Sequence, residues 1–418
     1  MTEAFKKRLF PVLPEIARHF GTPFHIYDEA GIRDTARKLK ETFSLFQGFK
    51  EFFAVKALPN PSILNLFLDE GFGFDCSSIP ELVLARKTGA QPEDILFTSN
   101  NTSEAEFEAA FASGGSIVNL DDISLISKLP QIPGIVSFRY NPGPRRSGNE
   151  IIGNPVEAKY GVAHDQIVDA YKQIRDLGSR RFGLHTMIVS NERNHRYMIE
   201  TARMLADLAG FISECIDIRF EFINIGGGLG IPYHPEDEPL DIEAMSRGIR
   251  DVFSKFYEKY GYEPRLFMES GRYMTGPHGV LVTRVINKKN TYRNYVGVDA
   301  SMSALMRPGM YGAYHHIDVY GKELSESDCQ TVDVVGSLCE NIDKFAIQRK
   351  LPKTEINDLL IIHDTGAHGH AMGFNYNGRL RPKELLLKKD GSVELIRREE
   401  TEEDYFATLS FKKDVFRP

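Results

Sequence analysis

The chain has 418 residues, of which 42% are hydrophobic and 26% are charged, and its formal net charge is −7. This length favours two domains, and the composition is that of an ordinary globular protein. The negative charge, with no Lys/Arg-rich stripe, argues against a nucleic-acid-binding protein.

The four cysteines are widely spaced and form no CxxC pair, which argues against a disulfide framework or a structural zinc site. They fit a reducing compartment, so we expect a cytoplasmic protein. The first 20 residues are basic but lack an apolar core, and no run of about 18 apolar residues could span a bilayer. We therefore expect neither a signal peptide nor a membrane segment. The cysteines are Cys76, Cys215, Cys329 and Cys339.

Strand-like runs recur along the first two thirds of the chain, with helix-like segments such as 61–72 and 79–90 between them. Alternating strands and helices indicate parallel βα units, and eight such strands predict a (β/α)8 barrel over residues 26–275. The eight predicted strands are 53–57, 73–78, 95–100, 116–122, 135–142, 182–190, 222–228 and 265–272.

The pattern changes outside these limits. Residues 141–161 interrupt the barrel rhythm and are predicted to form a long loop. After residue 275 the segments are β-rich, and Asp390-Gly391 is typical of a hairpin turn. We predict a mostly β second domain over 276–418, with the N-terminal segment 1–25 packing on it.

Lys56 ends the apolar run "EFFAVKALPN". One interpretation is a lysine whose stem packs on the core while its ammonium reaches water. The other is an amine placed at a strand end for chemistry. We expect burial at the mouth of the barrel to lower the pKa of such an amine, leaving it partly neutral.

Gly226, Gly227 and Gly228 follow the seventh predicted strand, where backbone N–H groups can converge on an anion. Loops after strands seven and eight of such barrels commonly bind phosphate. Gly271-Arg272, after the eighth strand, would add an N–H group and a guanidinium. Glu269 stands beside them and could hold a positively charged ring nitrogen or form a structural ion pair.

Two further patterns leave alternatives open. The stretch "HDTGAHGH" brings His363, Asp364, His368 and His370 together in sequence, as in a metal-dependent barrel hydrolase, although it lies in the β-rich region. Cys339 precedes Glu340 at the end of a β-run, either as a small buried residue or as an exposed proton donor.

These features together resemble the fold-type III decarboxylases that depend on pyridoxal phosphate (PLP), and among them the diaminopimelate decarboxylases. The resemblance extends from "GTPFHIYD" (21–28) through "RPGMYGAYHH" (307–316) and "TGAHGHAMGFNYNGRLRP" (365–382) to "LIRREET". It implies a PLP-binding barrel with an alanine-racemase-like β-domain. It also implies a homodimer with shared active sites and a small-molecule amino-acid substrate.

The resemblance implies a role for each matching residue. Lys56 would bind the PLP aldehyde covalently, and Glu269 would keep the ring nitrogen protonated, where a related racemase has arginine. Cys339 would protonate the reacting carbon after CO2 leaves. The other implied cofactor residues are Ser190, Gly226, Gly227, Gly228, Ser270, Gly271, Arg272 and His368. The implied substrate residues are Arg272, Arg307, Tyr311, Glu340 and His368.

Two positions depart from the family pattern. Met187 replaces a histidine that stacks on the cofactor ring in "GLHxHIGS", and His368 replaces a tyrosine in "GAYG". The expected reaction is decarboxylation of meso-2,6-diaminopimelate to L-lysine, in lysine biosynthesis. The departures leave open a same-fold decarboxylase of carboxynorspermidine or of a D-amino acid. A non-catalytic PLP carrier would resemble only the barrel half.

Overall fold

A computed structural model describes residues 1–149, 151 and 153–412. Positions 150 and 152 of the predicted loop and positions 413–418 of the predicted second domain lie outside these residues. The chain forms two compact units, Ala30–Gly276 and a second unit that joins residues 1–29 to the residues after position 276.

Seventeen strands lie in the described residues. In chain order they are β1 (Phe24–Asp28), β2 (Lys50–Ala54), β3 (Gly73–Cys76), β4 (Ile95–Ser99), β5 (Ile117–Leu120), β6 (Val136–Arg139), β7 (Phe182–His185), β8 (Phe220–Asn224), β9 (Arg265–Met268), β10 (Gly279–Asn290), β11 (Asn294–Val298), β12 (Ile317–Val319), β13 (Cys329–Val335), β14 (Lys344–Pro352), β15 (Leu359–Ile362), β16 (Lys383–Leu387) and β17 (Val393–Arg397).

Twelve α-helices lie in the same described residues. They are α1 (Glu3–Leu9), α2 (Leu13–Phe20), α3 (Glu29–Thr42), α4 (Pro61–Asp69), α5 (Ile79–Lys87), α6 (Glu104–Phe111), α7 (Ile167–Asp176), α8 (His195–Ile216), α9 (Ile242–Tyr260), α10 (Arg272–Thr275), α11 (Arg307–Tyr311) and α12 (Glu402–Phe406).

The barrel prediction is confirmed. Strands β2 to β9 form a closed barrel in sequence order, with each strand parallel to the next. The last strand closes on the first, where Lys50 pairs with Phe267 and Glu51 pairs with Met268. Each observed strand corresponds to one of the eight predicted segments.

Helix starts in the barrel follow local capping chemistry. The Asn60 side chain accepts a hydrogen bond from Ser62 N at 3.0 Å, and Pro61 occupies the first turn of α4. Ser103 and Glu106 form a capping box at the start of α6. Side-chain caps satisfy N–H groups that the first helical turn leaves without a partner, so α4 and α6 each begin at a defined residue.

An apolar layer fills the barrel interior. Its side chains come from β2, β4, β5, β8 and β9 and from the residue before β6, and Phe222 and Phe267 stack with their ring centroids 4.3 Å apart. Residues from so many different strands can form one cluster only on the inner face of the barrel. The apolar layer comprises Phe52, Leu96, Ile117, Ile135, Phe222 and Phe267.

The second unit is built on a mixed nine-stranded sheet, with a main order of β14-β13-β11-β10-β1-β16-β17. β1 lies antiparallel to β10 and parallel to β16. The predicted domain boundary between residues 25 and 26 therefore falls inside a strand of this sheet. The predicted turn at Asp390-Gly391 is confirmed, because β16 and β17 form an antiparallel hairpin around it.

The N-terminal helices pack on one face of this sheet. Phe5 and Leu9 from α1 and Leu13 from α2 are fully buried against side chains that include Val280 and Leu385. None of the described helices is long and apolar enough to cross a lipid bilayer.

Candidate functional site

Lys56 lies just past the carboxyl end of the first barrel strand. β2 ends at Ala54, three residues earlier than predicted, and Lys56 occupies the 3-10 turn Val55–Ala57 that follows. Its Nζ lies 3.3 Å from Oδ2 of Asp75, which is buried on the adjacent strand β3. Parallel pairing of Ala54 with Asp75 sets this distance.

The expected charge state of Lys56 is wrong. Asp75 raises the pKa of the Lys56 ammonium above its ordinary value, and this effect outweighs the lowering by desolvation. The Lys56 side chain is 54% exposed, so the barrel mouth desolvates it only in part. The amine is therefore charged here, with Asp75 as its counter-ion.

Three glycines after β8 pack their backbone against neighbouring strand ends. A Cβ atom on Gly226 would lie 2.3 Å from the Thr186 carbonyl oxygen, and one on Gly227 would lie 2.1 Å from that of Glu269. Gly226 and Gly228 also have positive φ, at 74° and 86°. Any side chain would collide with backbone, so only glycine fits this loop.

Two donors beside this loop have no acceptor among the described residues. They are the Gly228 N–H group and the buried hydroxyl of Ser270. By contrast, Gly226 N donates to Asn224 Oδ1 at 2.9 Å, and Gly227 N donates to the Met187 sulfur at 3.3 Å. Free donors beside a glycine loop fit an anionic ligand.

Glu269 is buried one residue past the end of β9. Oε2 lies 3.1 Å from His185 Nε2, and Oε1 accepts from Asn224 Nδ2 at 2.7 Å. Burial alone would raise the pKa of Glu269, but His185, Lys56 and Asn224 together hold it below its ordinary value. The site therefore keeps a buried negative charge.

Glu269 belongs to a polar layer that the sequence analysis did not identify. Each member lies two residues beyond an apolar-layer residue, or beyond Gly183 in β7, and side chains two apart share a strand face. This spacing was the available signal, because it predicts polar groups inside the barrel directly above the apolar layer. The polar layer comprises Thr98, Asn119, Ser137, His185, Asn224 and Glu269.

The segment after Glu269 is fixed by two further residues missing from the sequence analysis. Ser270 N donates to Glu51 Oε1 on β2, and Arg272 Nη1 donates to the Tyr233 hydroxyl at 2.5 Å. A Cβ atom on Gly271 would lie 2.8 Å from that of Ala57, beside the Lys56 turn. Glycine at this position brings the segment close to the lysine.

Met187 and Ser190 lie in the loop after β7. Arg139 Nη2 donates to the Met187 carbonyl oxygen at 3.0 Å. Asn149 Nδ2 donates to the Ser190 carbonyl oxygen at 2.6 Å, and Ser190 N donates back to Asn149 at 3.4 Å. Side chains from the end of β6 and from a neighbouring loop therefore fix the backbone at these two positions.

In the second unit, residues 336–343 form a turn that we call the Cys339 turn. Asp343 accepts from Met302 N at 2.6 Å and from Leu338 N at 2.8 Å. Asn377 accepts from Cys339 N at 2.6 Å. These bonds hold the backbone, while the side chains of Cys339 and Glu340 are exposed.

Arg307 and Tyr311 lie at opposite ends of α11, which packs on the Cys339 turn. A Cβ atom on Gly309 would lie 2.4 Å from the Ile342 carbonyl oxygen, so glycine permits this contact. Arg307 is buried and its Nη1 lies 2.9 Å from His315 Nε2, whereas Tyr311 is 65% exposed. The structure thus brings Arg307, Tyr311 and Cys339 into one region of the second unit.

The histidine-rich stretch is engaged in other contacts. His363 Nε2 lies 3.1 Å from Asp318 Oδ2, and His370 Nε2 lies 3.0 Å from the Pro382 carbonyl oxygen. Among the described residues, no three His, Cys, Asp or Glu side chains are grouped so that they could hold a metal ion. His368 is half-buried with a φ of 55°, a strained backbone of the kind often found at functional sites.

Comparison with known families gives one match that covers all eight barrel strands. Residues 30–276 match the family model described as "Pyridoxal-dependent decarboxylase, pyridoxal binding domain". This range includes the turn that contains Lys56, the loop Gly226–Gly228 and Glu269.

Individual relatives match nearly the whole chain. Protein TabA of Pseudomonas amygdali pv. tabaci is 46% identical over 100% of this chain and 98% of its own. A diaminopimelate decarboxylase of Methanothermobacter thermautotrophicus is 38% identical over 93% of this chain and 92% of its own. The crystal structure of diaminopimelate decarboxylase from M. jannaschii with L-lysine has a TM-score of 0.87 at 30% identity. It covers 95% of this chain and 94% of that one.

Proposed function

Because this chain belongs to the family of pyridoxal-dependent decarboxylases, we propose that it converts meso-2,6-diaminopimelate to L-lysine and CO2. The observation that carries the proposal is the convergence of Lys56, the glycine loop and Glu269 at the carboxyl end of one barrel. Several relatives that match over nearly the full chain, although not Protein TabA, are named diaminopimelate decarboxylases, which supports the choice of substrate.

The residues at this end of the barrel fit PLP. The unpaired donors of Gly228 and Ser270 suit its phosphate, the Glu269 carboxylate suits a protonated ring nitrogen, and the Lys56 amine suits its aldehyde. When bound, PLP supplies an electron-withdrawing ring that stabilises the charge left by departing CO2. The residues proposed to hold it are Lys56, Ser190, Gly226, Gly227, Gly228, Glu269, Ser270, Gly271, Arg272 and His368.

Lys56 must lose a proton before its amine can act as a nucleophile. Asp75 Oδ2, 3.3 Å away, holds the ammonium in place and raises its pKa, so it favours the charged form of Lys56. The proton therefore has to leave Lys56 Nζ against this ion pair.

Five residues are proposed to hold the substrate. Arg272 and Arg307 suit its carboxylates, because a guanidinium binds a carboxylate through two parallel hydrogen bonds. Glu340 suits its distal amine, and Tyr311 and His368 complete the set. This substrate has a second end that carries both an amine and a carboxylate. That second carboxylate distinguishes it from an amino acid that gives a simple diamine on decarboxylation.

Cys339 is proposed to deliver a proton to the carbon that has lost CO2. Its exposed side chain, and that of Glu340, support a homodimer in which each subunit's turn completes the other's site. The four free cysteines support a cytoplasmic location.

Turnover tests the substrate directly. Protein incubated with PLP and meso-diaminopimelate should release CO2 and L-lysine in equal amounts, measured by gas analysis and chromatography. The Lys56→Ala variant is the inactive control. Activity on another amino acid, with none on diaminopimelate, would overturn the proposed substrate.

A second candidate is a decarboxylase of the same fold with a related substrate. Met187 beside the glycine loop and His368 in strained backbone favour it, because both positions depart from the family pattern. A panel containing carboxynorspermidine and D-amino acids separates the two candidates by relative kcat/KM. The match to a pyridoxal-binding family argues against the alternative of a metal-dependent hydrolase.

Borohydride reduction tests the cofactor lysine. Peptide mass spectrometry of the reduced PLP-loaded protein should find the pyridoxyl group on Lys56. A label on any other lysine contradicts the assignment.

Mixing two inactive variants tests the shared site. Exchange of Lys56→Ala and Cys339→Ala subunits should restore about a quarter of the activity, because half of the random dimers are mixed and each then has one complete site. No recovery after subunit exchange, shown by mass spectrometry of the intact dimers, would overturn the sharing of sites.

A further inference from the structure

A row of hydrogen bonds in the polar layer leads to Glu269. Ser137 Oγ donates to Asn119 Oδ1 at 2.7 Å. Asn119 Nδ2 donates to Thr98 Oγ1 at 3.1 Å and lies 2.9 Å from His185 Nδ1. His185 Nε2 lies 3.1 Å from Glu269 Oε2.

The partners of His185 determine its tautomer. The Glu269 carboxylate can only accept, so His185 Nε2 carries a hydrogen. The Asn119 amide nitrogen can only donate, so His185 Nδ1 offers its lone pair. His185 is therefore a neutral imidazole with its proton on Nε2.

The orientation of the Asn119 amide is the decisive element. Turning this amide over would place its oxygen against His185 Nδ1, which would then need a second proton. In the observed orientation, every polar hydrogen of the amide is used, by Thr98 and His185, and its oxygen accepts from Ser137. Asn119, Ser137 and His185 are all buried, so water cannot replace these bonds cheaply.

We propose that Asn119 is a positioning residue that holds His185 neutral and so preserves the full negative charge of Glu269. An imidazolium at His185 would itself neutralise the Glu269 carboxylate. This inference rests on the proposed function in one respect, because the cationic group that benefits is the protonated ring nitrogen of PLP. The assignment of the tautomer rests only on the hydrogen bonds.

Nitrogen-15 NMR of the histidine-labelled full-length chain tests the tautomer, with and without PLP. The His185→Asn variant identifies the His185 signals. We expect one protonated and one unprotonated ring nitrogen, with the proton on Nε2, near neutral pH. Two protonated nitrogens, or a proton on Nδ1 alone, would overturn the inference.

Two substitutions test the role of Asn119. Asn119→Asp keeps the shape but offers only acceptors when ionised, so His185 should gain a proton on Nδ1. Asn119→Leu removes the donor, and the single Nε2–H form should no longer dominate. The matched control is Asn100→Leu, after the neighbouring strand β4, where the amide donates to Asp121. It should leave the His185 signals unchanged.

PLP titration followed by visible absorbance gives the second measurement. Asn119→Asp should weaken PLP binding about tenfold or more, because a charged His185 competes for Glu269. Unchanged affinity with a changed tautomer would overturn the role at the ring nitrogen. Normal PLP binding and turnover with an unchanged tautomer would overturn this inference while leaving the proposed function intact.

Discussion

The polar layer of the barrel and the Cys339 turn hold their functional groups in opposite ways. In the polar layer, Glu269 is buried and both of its oxygens are hydrogen-bonded. In the turn, Asp343 and Asn377 hold only the backbone, and the Cys339 side chain is exposed. Substitutions at the cofactor site should therefore act by disturbing its packing. Substitutions in the Cys339 turn should act by removing a reacting group or by loosening the backbone that holds it.

The largest effect is expected in the glycine loop. Gly227→Ala places a Cβ atom 2.1 Å from the Glu269 carbonyl oxygen. Since backbone has to move, we expect a loss of about 3 kcal/mol in the free energy of unfolding and PLP affinity reduced at least 100-fold. Denaturant unfolding measures the free energy of unfolding, and PLP titration measures the affinity for PLP. Gly134→Ala, with no atom within 4 Å of the new Cβ, is the control. Normal PLP affinity in Gly227→Ala would contradict the close packing of the loop.

The second effect is chemical and is expected at Cys339. Cys339→Ala should lower kcat about 100-fold or more by removing a proton donor. Because the side chain is exposed, stability should change by less than about 0.5 kcal/mol, with PLP affinity unchanged. Steady-state kinetics and PLP titration separate the two. Cys215→Ala, exposed on α8, is the matched control. An unchanged kcat in Cys339→Ala would exclude it as the donor.

A smaller effect is expected where the turn is held. Asp343→Asn removes one of the two acceptors for Met302 N and Leu338 N. It should cost about 1–3 kcal/mol in the free energy of unfolding, measured in denaturant, and should lower kcat with Cys339 still present. Asp328→Asn, exposed in the same unit, should change stability by less than about 0.5 kcal/mol. Equal kcat in both variants would show that turn order does not matter for turnover.

The last effect is a pH dependence from Glu51, which is spread over several pH units. Burial raises the pKa of this carboxyl from 4.5 to about 8, despite the hydrogen bond from Ser270 N. Between those pH values the folded chain keeps a proton that the unfolded chain loses. Stability should therefore fall with rising pH by at most about 1.4 kcal/mol per pH unit.

The Glu51→Gln variant should lack this contribution to the slope, since glutamine does not titrate and its oxygen still accepts from Ser270. Urea unfolding at several pH values between 5 and 8 measures the difference. Glu41→Gln, exposed on α3, controls for the loss of one formal charge. Identical slopes for Glu51→Gln and the original chain would contradict a neutral buried Glu51.

Much of the fold could be predicted because its signals are local. Apolar runs and helix signals located all eight barrel strands. The membership of β1 could not be predicted in this way, because its partners β10 and β16 are remote in sequence. Local periodicity does not identify the sheet to which a strand belongs.

Some residues of the candidate site could likewise be predicted from the sequence, and others could not. Lys56 and Gly226–Gly228 stand out in the sequence by residue type and position. The charge of Lys56 was mispredicted because Asp75, brought beside it by strand pairing, dominates the desolvation effect. The polar layer was missed because its members are ordinary polar residues on separate strands, recognisable only by their common two-residue spacing.

The position of β1 has a consequence for the order in which the newly made chain folds. β1 pairs with residues 279–282 and 383–387, which the ribosome adds only after the whole of 30–276. The barrel strands pair with near neighbours in sequence, apart from the closure of β9 on β2. During synthesis, the barrel can therefore assemble first, while β1 waits without its strand partners. Segment 24–28 is made early but is thus among the last strands to pair with its neighbours in the sheet.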